Sequence, residues 1–159
     1  MSLTKKITKL LLTEIFKFIM LIAVDFDGTI VTHEYPRIGK EIPFAIDTLK
    51  RLQQYPDYQL VLWTVREGQE LEEAVEFCRQ RGLEFYAVNN NYPEESVEHP
   101  EPRKLKADLF IDDRNLGGLP DWGVIYRMIR NGKYLQPISN DIEQEYELPK
   151  KGFFKSIFG

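Results

Sequence analysis

An apolar run that leads directly into two spaced aspartates constrains the fold of this chain more than any other feature. The run is Leu21–Val24, and the segment Asp25–Thr29, with the sequence DFDGT, follows it. A short apolar run bounded by turn residues is typical of a strand that is buried on both faces. Because a bare charge is costly to bury, we predict that Asp25 and Asp27 emerge at the carboxyl end of a central parallel strand. That end is where open α/β sheets bind ligands.

Two carboxylates one residue apart can hold a hard cation and still leave an oxygen free to react. Taken alone, the same segment could be an ordinary acidic turn. It could also open a calcium-binding EF-hand loop, which requires a glutamate at its twelfth position. Counted from Asp25, that position is Pro36, so the EF-hand interpretation fails.

A second apolar run that ends in carboxylates favours the cation site over the ordinary turn. The run Leu109–Ile111 predicts a strand that carries Asp112 and Asp113 to its carboxyl end. If this strand lies beside the first one, its carboxylates close an oxygen-rich pocket with Asp25 and Asp27. Such a pocket suits Mg²⁺.

Candidate phosphate ligands occur at two further places. The strand pattern Tyr58–Thr64 ends in a hydroxyl, and Arg66 follows two residues later. Thr64 could simply fill the strand as a β-branched residue, or it could donate a hydrogen bond to a phosphate oxygen. Lys104 and Lys106 precede the second acidic run, where either could place an ammonium against a phosphate or belong to a solvated turn.

In this order, the four elements resemble the motifs of the haloacid dehalogenase superfamily of aspartate-nucleophile phosphatases. The resemblance covers roughly Met20 to Met128. The segment Asp25–Thr29 resembles the first motif, which implies that Asp25 is the nucleophile and Asp27 the general acid and base. Relatives that cleave carbon–halogen bonds lack the second aspartate, so its presence argues for phosphoryl chemistry.

The resemblance also assigns the other candidates. Thr64 resembles the second motif. Lys104 resembles the third in the frame KLKAD, where small members often have proline in the place of Leu105, and Lys106 remains a rival. Asp112 with Asp113 resembles the fourth motif.

The activity implied is a Mg²⁺-dependent phosphomonoester hydrolase that acts through an aspartyl-phosphate. Its substrate would be a small phosphorylated metabolite such as a sugar phosphate or a nucleotide. The metal would be held by Asp25, Asp112 and the backbone carbonyl of Asp27, with Asp113 as a further candidate. A phosphotransferase that uses the same intermediate, and a non-catalytic phosphate-binding or interaction module with the same fold, are the alternatives.

Strand and helix patterns alternate along the chain, which predicts an α/β fold with a parallel sheet. We expect a three-layer α/β/α sandwich around a mainly parallel Rossmann-like sheet. The strand that ends at Asp112 should lie beside the first strand, on the side away from Thr64. The patterns predict helices at 43–54 and 67–81, a helix capped by Asp121, and strands at 58–64, 85–88 and 108–112.

Domain organisation follows from where the motifs lie. We expect an N-terminal extension at 1–19, one hydrolase domain at 20–135, and a C-terminal tail with a basic and aromatic end at 136–159. The loops after the first motif and before Lys104 are too short to fold as cap domains, so the site should be open. Arg66 and Arg114, just beyond motif strands, are candidates for binding substrate anions or ordinary surface arginines.

The composition of the chain limits which partners and compartments we expect. The net charge of −4 gives no bulk attraction to nucleic acid, and no apolar stretch is long enough to span a bilayer. We therefore expect a cytoplasmic protein, with weak membrane-surface contact through the two basic termini as an open alternative. Cys78 is the lone cysteine, which excludes an internal disulfide and predicts a packed core thiol. The sequence does not indicate an oligomeric state.

Overall fold

The computed structural model describes residues 19–95 and 105–134. These residues form a parallel sheet of four strands and three α-helices, which confirms the predicted α/β Rossmann-like fold. No cap domain is present in the described part of the chain. The strands are β1 (Met20–Val24), β2 (Tyr58–Leu62), β3 (Ala87–Val88) and β4 (Leu109–Ile111), and the helices are α1 (Ala45–Gln53), α2 (Gly68–Arg79) and α3 (Trp122–Arg130).

The strand order in the sheet is β3-β2-β1-β4. Val24, the last residue of β1, is in register with Leu62 of β2 on one side and with Ile111 of β4 on the other. The prediction that β4 lies beside β1 and away from β2 is therefore confirmed. Because the strands are parallel, the residues that follow β1, β2 and β4 meet at the same edge of the sheet. Successive strands are added on one side of β1 for β2 and β3 and on the other side for β4, so this edge is a topological switch point.

The two faces of the sheet are covered differently. One face, which includes Ile22 and Leu60, shares a single hydrophobic core with all three helices. The other face, which includes Ala23 and Val61, packs against Leu105 and its neighbours. Within the described residues, this second covering layer is a non-helical segment rather than a helix.

Some elements are shorter than the sequence pattern predicts. Helix α1 begins at Ala45 because Phe44 adopts the left-handed conformation, with φ 66°, and cannot continue the helix backwards. Strand β3 is reduced to two residues, although the backbone N–H of Tyr86 already donates to the Leu60 carbonyl at 2.8 Å. These differences leave the carboxyl ends of the strands, and hence the candidate site, where the pattern predicts them.

Helix α3 is fixed at its start by a predicted cap. The Asp121 side chain accepts the backbone N–H of Gly123 at 2.8 Å, as is typical of an aspartate at this position. Trp122 follows at 2% exposure, and its indole N–H donates to the Thr29 carbonyl at 3.3 Å. The last helix thus anchors the turn that follows β1.

Several sequence predictions lie outside the described residues. They are the N-terminal extension apart from Ile19, the C-terminal tail at 136–159, and Lys104. In residues 19–95 and 105–134, no helix has the length and apolar character needed to cross a bilayer.

Candidate functional site

The turn after β1 is organised around Phe26, the residue between the two aspartates. Its side chain is fully buried and meets the ring of Phe77 edge-on, with 5.9 Å between ring centroids. Its carbonyl accepts the backbone N–H groups of Ile30 at 2.9 Å and Val31 at 3.1 Å. Anchoring this one side chain in the core fixes the positions of both neighbouring carboxylates.

Three carboxylates from two adjacent strands converge at this edge. Asp25, Asp112 and Asp113 each offer one oxygen, and these oxygens lie within 4.8 Å of one another. The Asp113 Oδ1 atom is buried and has no hydrogen-bond partner in the described part of the chain. A buried carboxylate oxygen needs a compensating partner, and an all-oxygen set is what hard divalent cations bind. The three residues could therefore hold a metal ion, as predicted.

Thr29 connects Asp25, which follows β1, to Asp113, which follows β4. The sequence analysis did not predict this role. The residue is fully buried, and its hydroxyl donates to Asp25 Oδ2 at 3.2 Å. The same hydroxyl oxygen accepts the backbone N–H of Asp113 at 3.1 Å. The feature of the sequence that could have indicated this role is the position of Thr29 at the end of the DFDGT segment.

Gly28 allows Asp113 to approach the turn. The glycine has φ 92°, a conformation that side chains disfavour. A Cβ atom added there would lie 2.3 Å from Asp113 Oδ2. The site thus requires glycine for both backbone conformation and space.

The environment of Asp25 opposes its charge. Burial is the main cause that raises the pKa of this carboxyl to about 6, and the nearby Asp112 and Asp113 charges raise it further. Hydrogen bonds from the Phe26 backbone and from Thr29 act in the opposite direction. A bound cation would remove the repulsion among the three carboxylates and favour the charged form of Asp25.

Asp27 lies in a different environment, against Arg66. The guanidinium donates from Nε to Asp27 Oδ2 at 2.6 Å and from Nη2 to Oδ1 at 2.7 Å, and both side chains are buried, at 0% and 5% exposure. The hydrogen bond to Asp27 raises the pKa of Arg66. The prediction that Arg66 binds a substrate phosphate does not fit this geometry, because its donors face Asp27 and two backbone carbonyls.

The metal role predicted for Asp27 concerned its backbone carbonyl. The Asp27 side chain is not part of the carboxylate cluster. Its carbonyl oxygen lies 3.3 Å from Nδ1 of His33, an exposed residue for which the sequence analysis predicted no role. His33 therefore contacts the carbonyl that was predicted to face the metal.

A cavity of about 520 Å³ opens over these groups. Thr64 lies in its wall, where its backbone N–H donates to Asn89 Oδ1 at 2.9 Å and its hydroxyl oxygen accepts the N–H of Arg66 at 3.3 Å. Among the described residues, none accepts a hydrogen bond from the Thr64 hydroxyl, so its O–H is available to a ligand in the cavity. The described residues that line the cavity are Asp25, Asp27, His33, Trp63, Thr64, Val65, Glu67, Asn89, Asp112 and Arg114.

The basic candidates divide into three groups by position. Arg114 is exposed and lines the cavity, so it can meet a substrate anion. Lys106 is exposed, and the cavity wall in the described residues does not include it. Its backbone N–H donates to Asn91 Oδ1 at 2.7 Å. Lys104, the preferred phosphate lysine, lies outside the described residues, so its role stays a prediction.

This chain is similar to a protein of known structure along most of its length. This protein is a conserved protein from Bacteroides thetaiotaomicron, and its sequence is 67% identical to that of this chain. The two structures superpose with a TM-score of 0.67, and the match covers 72% of this chain and 93% of the relative. The chain belongs to that protein's family. The relative is a conserved protein, and membership of its family supports the fold of this chain. No protein-family model and no curated protein matches the chain.

Proposed function

We infer that the protein is a Mg²⁺-dependent phosphatase of the haloacid dehalogenase superfamily that acts through an aspartyl-phosphate. The observation that carries this proposal is the cluster of Asp25, Asp112 and Asp113, which meets a cavity wall that bears Thr64. A nucleophile, an oxygen-rich cation site and a hydroxyl donor are the groups that phosphoryl transfer needs at one place. The substrate class is a small phosphorylated metabolite.

Charge repulsion is the obstacle that the site has to overcome. A phosphate is an anion, and so is the Asp25 carboxylate that would attack it. Asp25, Asp112 and Asp113 are the side chains that would hold Mg²⁺, which when bound neutralises charge on the phosphoryl oxygens. The unpartnered Asp113 Oδ1 atom supports this assignment, since a cation would satisfy it.

The protein groups then position the substrate. The Thr64 hydroxyl and the Lys104 ammonium would bind phosphoryl oxygens, and Arg114 at the cavity wall would meet a further anionic group. Asp25 attacks phosphorus, and the bond to the leaving oxygen breaks, which leaves the phosphoryl group on Asp25. Water then attacks the same phosphorus and the bond to the Asp25 oxygen breaks, which releases phosphate, while Asp27 as the proposed general base takes the proton of the water.

The test measures phosphate release from acetyl phosphate and p-nitrophenyl phosphate, with Mg²⁺ and with excess chelator. We expect turnover that requires the metal and is lost in Asp112→Asn. The matched control is Asp47→Asn, an exposed aspartate in the first turn of α1, which should keep wild-type turnover. Phosphate binding without turnover would instead support the non-catalytic module, and turnover that persists fully in chelator would contradict the proposal.

A further inference from the structure

The cavity over the carboxylates is larger than a phosphate group needs. Its volume of about 520 Å³ lies within the roughly 300–1,000 Å³ of pockets that bind small molecules. The carboxylates of Asp25 and Asp112 and the hydroxyl of Thr64 account for the proposed binding of the metal and the phosphoryl group. The remaining wall is available to the rest of the substrate, and its chemistry indicates what that part is.

Two apolar residues adjoin Thr64 in this wall, one on each side of it in the chain. Trp63 and Val65 both line the cavity, and Val65 is 79% exposed. A single exposed apolar side chain is ordinary on a protein surface and indicates nothing by itself. Here two of them line one cavity with the proposed phosphate ligand, so a substrate whose phosphate binds Thr64 also meets apolar surface.

The position of Trp63 is fixed by its backbone and by its packing. The backbone N–H donates to the Val24 carbonyl at 2.8 Å, which places Trp63 beside the residue that precedes the proposed nucleophile. The side chain is half-buried and packs against the core that includes Ala23, Val61 and Leu105 on the second face of the sheet. Trp63 thus offers the cavity an aromatic surface that is already in place before a ligand binds.

The other tryptophan of the chain offers no such surface. Trp122 is 2% exposed, and its indole N–H donates to the Thr29 carbonyl at 3.3 Å. The indole N–H of Trp63, by contrast, has no acceptor in the described part of the chain. The fold therefore uses Trp122 completely, and part of Trp63 is available to a ligand.

The polar donors of this wall are concentrated at Thr64. Asn89 Oδ1 accepts the backbone N–H of Thr64 at 2.9 Å, and this bond orients the amide. Its Nδ2 group has no acceptor among the described residues. Two donors that suit phosphoryl oxygens, the Thr64 hydroxyl and the Asn89 amide, thus lie together in the cavity wall, with the apolar surface next to them.

We propose that Trp63 and Val65 determine specificity by binding a planar aromatic ring in the leaving group, and that the substrates are phosphate monoesters that carry such a ring. This inference rests on the proposed phosphatase function. An aromatic ring stacks on the indole and loses apolar surface to water, whereas the hydroxyl groups of a sugar phosphate gain no hydrogen bond from an apolar wall. Nucleoside monophosphates and smaller aryl-bearing phosphates share this chemistry.

Adenosine monophosphate and ribose 5-phosphate test the inference on the intact protein with Mg²⁺, because they release the same kind of alkoxide and differ only in the base. The ratio of their kcat/KM values reports how much the base contributes up to the transition state. We expect the nucleotide to be preferred by roughly 5- to 150-fold, which is the range that stacking of a base on an aromatic side chain gives.

Benzyl phosphate and cyclohexylmethyl phosphate separate stacking from simple apolar contact, because both release a primary alcohol and only the benzyl ring is planar. A preference for the benzyl ester without one for the nucleotide would identify a smaller aryl ester as the substrate class. Equal kcat/KM values within both pairs would overturn the inference and leave the phosphatase assignment standing. Turnover of acetyl phosphate with none of the four esters would do the same.

Trp63→Phe and Trp63→Leu test the aromatic surface, since phenylalanine keeps a ring and leucine keeps only apolar bulk. We expect the preference for the nucleotide to be largely retained in Trp63→Phe and to fall by about fivefold or more in Trp63→Leu. A change in folding alone lowers both kcat/KM values in the same proportion and leaves their ratio unchanged. An unchanged ratio in Trp63→Leu therefore contradicts the role of Trp63.

Val65→Ser changes the wall without disturbing the core, because the Val65 side chain is exposed. The preference for the nucleotide should fall by about threefold, as expected when one to two buried methyl groups are lost. Ile19→Ser is the matched control: Ile19 is also β-branched and exposed, at 47%, but it precedes β1 at the opposite edge of the sheet, so its ratio should equal that of the wild type. If neither Trp63 variant folds, an unchanged ratio in Val65→Ser contradicts the inference.

Fluorescence tests the aromatic surface without turnover. Adenosine should quench tryptophan emission saturably and ribose should not. In Trp63→Leu, where only the buried Trp122 emits, adenosine should cause no saturable quenching. Saturable quenching of the wild type without turnover of any phosphate would overturn the phosphatase assignment and the substrate class, and would leave Trp63 as a binding residue for an aromatic ring. Turnover of acetyl phosphate without quenching and without a preference in either substrate pair would overturn the inference alone.

Discussion

Asp25 and Asp27 are one residue apart, yet their surroundings are opposite. Asp25 lies among two other carboxylates, and burial raises its pKa to about 6. Asp27 lies against the buried guanidinium of Arg66. The turn after β1 sends the two side chains to different neighbours because Phe26, between them, is anchored in the core. The proposed difference in their chemistry follows from this placement.

Changing each aspartate to asparagine should therefore give different failures. Asp25→Asn removes the proposed nucleophile, so acetyl phosphate should leave no phosphoryl group on the protein. Asp27→Asn keeps the proposed nucleophile but loses the group proposed to activate water, a contribution that is typically worth roughly 10²–10⁴-fold in rate. Intact-protein mass spectrometry should show one added phosphoryl group on Asp27→Asn and none on Asp25→Asn. Equal labelling of the two variants would mean that Asp25 is not the nucleophile.

The raised pKa of Asp25 predicts how stability depends on pH. Between about pH 4 and pH 6 the folded metal-free protein holds a proton on Asp25 that the unfolded chain has released. The contribution of Asp25 to stability is therefore fully present below that window and is lost as pH rises through it. Because Mg²⁺ binds the charged form, the increase in Tm that it causes should be larger at about pH 7.5 than at about pH 5.

Thermal unfolding with and without Mg²⁺ at the two pH values checks this expectation. Asp25→Asn is the control, because it has no titratable group at this position. In this variant, the increase in Tm caused by Mg²⁺ should be small and should be equal at the two pH values. A Mg²⁺-induced increase in Tm that is equal at the two pH values would show that Asp25 is not a metal ligand.

At the scale of elements, the position of β4 beside β1 could be predicted from the sequence because buried parallel strands are continuous apolar runs. Leu21–Val24 and Leu109–Ile111 both end in carboxylates, and a shared ligand requires their ends to meet. The partner of Arg66 could not be predicted in the same way. An arginine after a strand can face solvent, substrate or core, and only the tertiary packing of Phe26 and the loop at Pro36 decides among them.

The lengths of elements were also only partly predictable. Strand β3 pairs through Ala87 and Val88, although its apolar pattern begins at Phe85, because pairing depends on the neighbouring strand as well as on propensity. The DFDGT motif indicates that Thr29 lies near the site. No sequence pattern, however, predicts that its hydroxyl bonds both the Asp25 carboxylate and the backbone N–H of Asp113. Such contacts arise where two elements meet and are not encoded in either one alone.

The contact between the turn after β1 and the end of β4 can be tested at Gly28. Gly28→Ala should lower stability and abolish stabilisation by Mg²⁺, because its Cβ would collide with Asp113. Gly117→Ala is a matched control: its φ of 93° is nearly the same as the 92° of Gly28, but nothing lies within 4 Å of its Cβ. Both variants carry the backbone strain of about 1–3 kcal/mol, and only Gly28→Ala disturbs the carboxylate cluster.

Thermal unfolding in a Mg²⁺ titration separates the two effects. Gly117→Ala should have a lower Tm in the absence of metal but the same increase in Tm on adding Mg²⁺ as the wild type. If Gly28→Ala showed that full increase as well, the approach of Asp113 to the turn would not matter for metal binding.

For the whole molecule, the lone cysteine reports on the integrity of the core. Cys78 is fully buried in the core shared by the three helices, and burial raises its pKa to about 12. Because the thiolate is the reactive form, a thiol reagent should label the native protein slowly and the denaturant-unfolded protein rapidly. The labelling rate should fall further when Mg²⁺ stabilises the fold. Rapid stoichiometric labelling of the native protein would contradict the buried position.

The carboxylate cluster joins parts of the chain that are far apart in sequence. The hydrogen bond between Thr29 and Asp113 spans 84 residues, and that between Leu21 and Asp108 spans 87. During synthesis, Asp25 therefore leaves the ribosome long before Asp112 exists, and a partly made chain has the proposed nucleophile without the other two carboxylates of the proposed cation site. Binding of a cation by this cluster would be linked to the docking of β4, the last strand of the sheet that the described residues form. Under the proposed function, phosphoryl transfer would therefore begin only after β4 has docked beside β1.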